Sequence, residues 1–171
     1  KFIDENDWIL GGYQWIAFEH RGGACWPRLC SQSGAIDLFM QKKDAFYQNL
    51  SYWSDGKEKP MIHLLPHWNF KGMEGERIRV VAYTNAEEAE LFLNGNSLGK
   101  EIIAKYGYGE WFVPYEVGEL RVNAYIDGEI VATDCKVTSE NPHKLALQLD
   151  TEDVKANGRD IALFTCSVLD E

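Results

Sequence analysis

The sequence has few of the residues that bind structural metals or nucleic acids. Only four cysteines and four histidines occur among 171 residues, and none of them forms a Cys-x-x-Cys pair or a Cys/His spacing typical of zinc sites. Basic residues number 17 against 27 acidic ones, a formal charge of −10, and such a surface repels phosphate backbones. We therefore expect no metal site and no nucleic-acid partner.

Long apolar runs and two common catalytic motifs are also absent from the sequence. No segment approaches the roughly 20 apolar residues of a membrane helix, and the acidic start KFIDENDW does not resemble a signal peptide. Neither a Gly-x-Ser-x-Gly motif nor a glycine-rich phosphate loop occurs. With 45% hydrophobic residues, the chain is expected to be soluble and globular, without a membrane partner.

Residues 1–56 have the pattern of a strand, a long loop and a helix. WILGGYQWIAF, residues 8–18, is continuously apolar, as expected of a strand buried on both faces in a parallel sheet. After the loop, apolar residues recur at helical spacing from Ala45 to Trp53, behind Asp44 as a candidate N-cap. Strand, loop and helix form the repeating unit of a β/α barrel.

The rest of the sequence predicts β-structure. Residues 57–140 contain about seven short strands with turn residues at regular spacing, which predicts an immunoglobulin-like sandwich. In one of these strands, Ile78, Val80 and Ala82 point to one face, and the residues between them point to the other face. Residues 141–171 hold two further alternating strands, too few for a core of their own. They are expected to begin another β-domain.

Several stretches resemble glycoside hydrolase family 2 enzymes. In chain order they are GGYQWIAFEHRG, CWP, SQSGAIDL, KKDAFY, HLLPHWNF, VAYTNAEEAELFLNGNSLG, WFVPYEVGELRVNAYIDG and VATD. Together they are similar to the C-terminal half of bacterial members of the β-galactosidase type. The resemblance implies a fragment of a multidomain enzyme: the end of a (β/α)8 catalytic barrel over 1–56, an immunoglobulin-like domain over 57–140, and part of a further β-domain over 141–171.

The resemblance also implies which site residues the chain carries. Family members are retaining glycosidases with two catalytic glutamates, both on earlier barrel strands, so this chain is expected to hold no catalytic residue, to need no cofactor and to be inactive alone. In the intact enzyme Trp15 would line the pocket of the carbohydrate substrate, although a core position fits this residue equally well. Glu19 is expected among the substrate-binding residues of the intact enzyme, where it has an orienting role or pairs with Arg21. His20 and Arg21 either edge the pocket or lie in a solvated loop.

A second interpretation is a free-standing carbohydrate-binding or structural β-sandwich module. It requires aromatic rings exposed on one face, where they stack on sugars. The aromatic stripe in this sequence is more typical of a sandwich core; its members are Tyr83, Phe92, Trp111, Tyr115 and Tyr125.

The sequence does not show what covers the apolar side chains of the run 8–18. We expect it to pack on the sandwich, to pair with a second copy in a homo-oligomer, or to be poorly ordered, because exposed apolar side chains are costly.

Other residues with possible chemistry have structural explanations. Cys25 and Cys30 either bridge a loop or remain free. His63 and His67 would share one face of a strand, but no third metal ligand accompanies them. Trp68 is expected to pack between domains.

Overall fold

A computed structural model describes residues 2–151 and 153–170. It divides the chain into two compact units, one that extends to Val137 and one that begins at Thr138. The chain is mainly β, as predicted. Its sheets are open, and none of the described strands closes into a barrel.

The described residues form eleven strands and one helix. These are β1 (His20–Arg21), β2 (Cys30–Ser31), α1 (Asp44–Trp53), β3 (Ile62–Leu65), β4 (Arg77–Thr84), β5 (Glu88–Leu93), β6 (Asn96–Ile102), β7 (Gly109–Pro114), β8 (Glu119–Ile126), β9 (Glu129–Val137), β10 (Lys144–Leu149) and β11 (Phe164–Leu169).

Strands β3 to β9 form the predicted immunoglobulin-like sandwich. One antiparallel sheet has the order β3-β4-β7 and the other the order β6-β5-β8-β9. Side chains of both sheets meet in one core, with Val80 and Val113 from the first sheet and Leu91 and Val122 from the second all nearly inaccessible. Alternation along each strand explains this core, because every second side chain points between the sheets.

Two tight turns close the hairpins of the second sheet. Asn94 and Gly95 join β5 to β6, and Asp127 and Gly128 join β8 to β9. All four residues have positive φ, from 50° to 82°, which asparagine, aspartate and glycine tolerate better than other residues. Turn residues predicted between the strands are therefore confirmed at these two positions.

Helix α1 contacts the sandwich through one acidic and one aromatic side chain. Asp44 is the first helical residue, and the N-cap position belongs to Lys43 without a side-chain cap, so the predicted capping role of Asp44 is wrong. Its carboxylate instead lies 2.8 Å from Nε2 of His63 on β3. The His63 ring stacks on Tyr47 of the helix at 3.9 Å. Asp44 therefore fixes the helix to the sheet.

The linker after α1 is attached to the sandwich by Asn85. The side-chain amide of Asn85 donates to Ser54 Oγ at 2.8 Å and to the Lys59 carbonyl at 3.0 Å, and its oxygen accepts from the Met61 N–H at 2.9 Å. Gly56 lies so close that a Cβ there would be 2.2 Å from the Asn85 carbonyl oxygen. The helix and the sandwich therefore meet through a tightly built linker.

The apolar run 8–18 differs from the predicted long strand. It has one parallel bridge, from Phe18 to Ile36, and a regular strand starts only at His20. Strands of a parallel sheet are covered on both faces, and this bridge is the only strand pairing that the described residues give the run. The run does not pack on the sandwich, since Trp8 and Tyr13 are 76% and 107% exposed. Pairing with a second copy stays a prediction.

The second unit is an antiparallel hairpin of β10 and β11 with one apolar face. Directly opposed residues share a face, and on one face the three pairs are Leu145 with Val168, Leu147 with Cys166, and Leu149 with Phe164. All six side chains are exposed. Two strands cannot cover such a face, so the predicted continuation into a larger β-domain stays a prediction.

Candidate functional site

The site predicted around Trp15 lies where the run 8–18 meets β1. The Trp15 side chain is 76% exposed in this chain, and the pocket position and the core position that the sequence allows both stay predictions. The His20 ring packs against it at a right angle, with centroids 6.0 Å apart and planes at 88°. His20 Nδ1 is buried and finds no hydrogen-bond partner among the described residues. The structure therefore brings Trp15 and His20 together.

Glu19 is paired with Lys43, and the predicted pair with Arg21 is wrong. One carboxylate oxygen of Glu19 accepts a hydrogen bond from Lys43 Nζ, and the other lies 3.8 Å from Cys30 Sγ. The Glu19 side chain is only 9% exposed. Arg21 lies in β1 opposite Cys30 and is exposed. The acid turns towards the start of α1, while the arginine turns to solvent.

The loop that follows Glu19 brings the chain back to the segment that contains Glu19. Three backbone hydrogen bonds of 2.8 to 3.2 Å join residues 16–19 to residues 35–36. At Gly34 a Cβ would lie 2.2 Å from the Glu19 nitrogen, so only glycine permits this approach. Residues 20–33 are therefore a loop with closely held ends, which we call the rim loop.

The cysteines of the rim loop are free in the structure. Cys25 is exposed and Cys30 is partly buried beside Glu19. Cys135 and Cys166 lie in strands β9 and β11, and both are exposed. Free cysteines usually behave as small apolar residues, and these two lie on strand faces that the described residues leave open.

An apolar groove separates the run 8–18 from α1. Its volume is about 730 Å³, and its walls include Ile16 and Phe18 on one side and Phe46, Leu50 and Trp53 on the other. An apolar groove of this size needs a cover.

The histidines of the HLLPHWNF stretch do not share a site. His63 lies between two carboxylates, 2.8 Å from Asp44 and 3.9 Å from Asp134. Strand β3 ends before His67, which stacks on Phe70 instead, so the predicted common face is wrong. Within residues 2–151 and 153–170, no three His, Cys, Asp or Glu side chains could hold a metal ion together.

The aromatic residues of the sandwich divide between core and partly exposed positions, since Tyr83, Phe92 and Tyr125 are half-buried. Trp68 is fully buried inside the sandwich, where its Nε1–H donates to the Glu116 carbonyl at 2.9 Å, so the predicted position between domains is wrong. Trp111 and Tyr115 are also buried. These three rings cannot stack on a sugar. Phe112 and Tyr108 are 54% and 40% exposed, so the free-standing carbohydrate-binding module stays an alternative. None of the described helices is long and apolar enough to span a bilayer.

This chain is similar to a domain family and to parts of longer proteins that are named as glycosidases. A family model described as a domain of unknown function, DUF4982, matches residues 75–132. A putative beta-glucuronidase from Formosa agariphila is 37% identical over 99% of this chain and 17% of its own length. The beta-galactosidase BoGH2A from Bacteroides ovatus is 36% identical over 100% of this chain and 20% of its own length.

Solved structures agree with these sequence relatives. A beta-glycosidase from Bacteroides vulgatus superposes with a TM-score of 0.87 at 39% identity, covering 96% of this chain and 21% of that one. A glycosyl hydrolase family 2 member from Bacteroides cellulosilyticus gives a TM-score of 0.83 at 30% identity, covering 98% and 24%. This chain thus spans about a fifth of the length of the curated relatives. It belongs to glycoside hydrolase family 2 and corresponds to one part of such an enzyme.

Proposed function

We propose that this chain is the non-catalytic C-terminal portion of a retaining glycoside hydrolase that cleaves terminal β-glycosides, with β-galactosides as the substrates. The environment of Glu19 carries the proposal. Retaining glycosidases need two carboxyl groups about 5 to 5.5 Å apart, one of them free to attack the sugar. Glu19 is the acid next to the candidate sugar site, and its carboxylate is held by Lys43 and shielded from solvent. Both catalytic glutamates therefore belong to another part of the enzyme.

The groove and the exposed run 8–18 support the proposed division into domains. Residues 1–56 are the end of the catalytic barrel, 57–140 a supporting sandwich, and 141–171 part of a further β-domain. Other barrel strands would cover the groove, since each large apolar side chain left in water forgoes about 1.5 to 3 kcal/mol. A second copy of the chain is the alternative cover. A sedimentation measurement distinguishes the two, because a monomer excludes the second copy.

We place Trp15 in the sugar pocket, with His20 and Arg21 at its edge. An exposed indole face suits the apolar C–H face of a pyranose. The indole of Trp15 is exposed, and the His20 ring packs against it at a right angle. Glu19, whose side chain is 9% exposed and bound to Lys43, is the proposed orienting residue of this pocket.

A chimera tests this proposal. The matching segment of the Bacteroides ovatus beta-galactosidase is replaced by residues 1–171, and turnover of p-nitrophenyl β-galactoside is measured. We expect the chimera to be active and the isolated chain to be inactive. Trp15→Ala should lower kcat/KM about tenfold, since an aromatic contact contributes roughly 1 to 1.5 kcal/mol. Phe112→Ala, at an exposed sandwich position, is the control and should change nothing.

Two results would contradict the proposal. Turnover by the isolated chain that Glu19→Gln abolishes would make Glu19 a catalytic residue. A chimera that is active and indifferent to Trp15→Ala would remove Trp15 from the pocket.

A β-glucuronide is the second candidate substrate, because Arg21 is exposed beside His20. Guanidinium groups bind carboxylates in paired hydrogen bonds. If the enzyme acts on glucuronides, Arg21→Gln should lower turnover of p-nitrophenyl β-glucuronide and spare that of the galactoside.

A further inference from the structure

We infer that Glu19 and Lys43 form a clamp that closes the rim loop and thereby positions His20 against Trp15. Both are positioning residues and neither contacts the sugar. The clamp itself follows from the geometry of this chain; its consequence for sugar binding rests on the proposed function.

The clamp joins three separate parts of the chain. Glu19 immediately precedes the rim loop, and Lys43 immediately precedes α1. Besides the Glu19 carboxylate, Lys43 Nζ reaches the Gln32 carbonyl at 3.2 Å, near the loop's other end. The second carboxylate oxygen of Glu19 lies 3.8 Å from Cys30 Sγ. One ion pair therefore holds both ends of the rim loop to the start of the helix.

Burial makes the two charges dependent on each other. The side chain of Glu19 is 9% exposed and that of Lys43 is 35% exposed. When one partner of a shielded ion pair is removed, the other charge is left without compensation and must move towards water. The Glu19 backbone is itself tied to the loop's far end, because its N–H donates to the Ile36 carbonyl at 2.8 Å, so we expect loss of the ion pair to loosen the segment that carries Glu19.

That segment carries the candidate sugar site. His20 follows Glu19 directly in the chain, and its ring packs against Trp15 at a right angle. A displacement of Glu19 therefore changes the contact between His20 and the indole. The loop also carries Trp26, which is 85% exposed and provides a second reporter of loop position.

Fluorine NMR of the chain labelled with fluorotryptophan tests the clamp. Single Trp→Phe variants assign the signals of Trp15 and Trp26, and Trp68 and Trp111, buried in the sandwich, report whether each variant is folded. The variants are Glu19→Gln, Lys43→Met and the reversed pair Glu19→Lys with Lys43→Glu. We expect each single variant to shift or broaden the Trp15 and Trp26 signals and to leave the sandwich signals in place. The reversed pair should restore them.

The neighbouring lysine gives a matched control. Lys42 is exposed, and its Nζ lies 4.9 Å from the centre of the Phe46 ring, so Lys42→Met removes an adjacent positive charge without touching the clamp. It should leave Trp15 and Trp26 unchanged. The clamp is refuted if Lys43→Met and Glu19→Gln leave both signals in place, or if Lys42→Met has the same effect.

The clamp and the proposed function fail separately. The NMR measurement contains no sugar, so its outcome decides the clamp alone. If the clamp variants shift the Trp15 signal but Trp15→Ala leaves the chimera fully active, the clamp is supported and the sugar-binding role of Trp15 is refuted.

Discussion

Trp68→Phe removes the largest side chain of the sandwich core. The indole is fully buried, with ring centroids 5.2 Å from Tyr115 and 6.1 Å from Phe70, both at steep angles. Its Nε1–H donates to the Glu116 carbonyl. Phenylalanine keeps an aromatic ring at the position but has no donor and fills less space.

Two losses determine the size of the effect. A hydrogen bond within a protein contributes about 0.5 to 1.5 kcal/mol net. The apolar area and the space that phenylalanine leaves unfilled add about 1 to 2 kcal/mol. We therefore expect Trp68→Phe to lower the free energy of unfolding by about 2 to 3 kcal/mol, a large fraction of the usual stability of a domain.

Urea unfolding followed by far-UV circular dichroism measures this loss. The control is Trp53→Phe at the end of α1, the same substitution at a side chain that is 75% exposed. It should change the unfolding free energy by less than about 0.5 kcal/mol. If Trp68→Phe costs no more than its control, Trp68 does not belong to the sandwich core, and the argument from its burial is wrong.

Two further predictions concern the polar contacts of the sandwich. Asn85→Ala removes the three side-chain hydrogen bonds that attach the linker and should lower the unfolding free energy by about 1 to 3 kcal/mol. Asn85→Asp keeps only the acceptor, so it should also be less stable than the original chain. Thermal unfolding measures both variants. Hydrogen bonds from Ser97 and Tyr125 hold the pKa of Glu90 below its ordinary value of 4.5. Its stabilisation is complete above that value and is lost as the pH falls through the lowered one. Glu90→Gln should therefore lower the free energy of unfolding by less than about 1 kcal/mol at neutral pH and leave it unchanged in strong acid. Urea unfolding of both proteins at several pH values measures this. The same difference at every pH would contradict the prediction.

The sandwich was predictable because its signals are local. Every second residue of β4 is apolar, and Asn94 and Asp127 begin turns that accept positive φ. These patterns act over neighbouring residues, so the chain adopts them wherever the two sheets can meet. The resemblance to family 2 was likewise readable from ordered stretches, and the comparisons confirm it.

The candidate site was predictable only in part, since its contacts are distant in sequence. Trp15 and His20 were both identified from the sequence, but Lys43 was missed as the partner of Glu19 because it lies 24 positions away. Arg21, two positions away, was the nearer candidate. The KKD stretch that precedes α1 was the available signal, although it does not specify which lysine turns inward.

Composition, strand alternation and turn residues by themselves determined that this chain is acidic and mainly β, with an immunoglobulin-like sandwich, because such features depend on neighbouring residues. Only the tertiary structure decided that Trp68 lies in the core, that His63 links helix to sheet, and that Lys43 holds Glu19. Those contacts depend on how distant segments approach one another, and local patterns do not specify that approach.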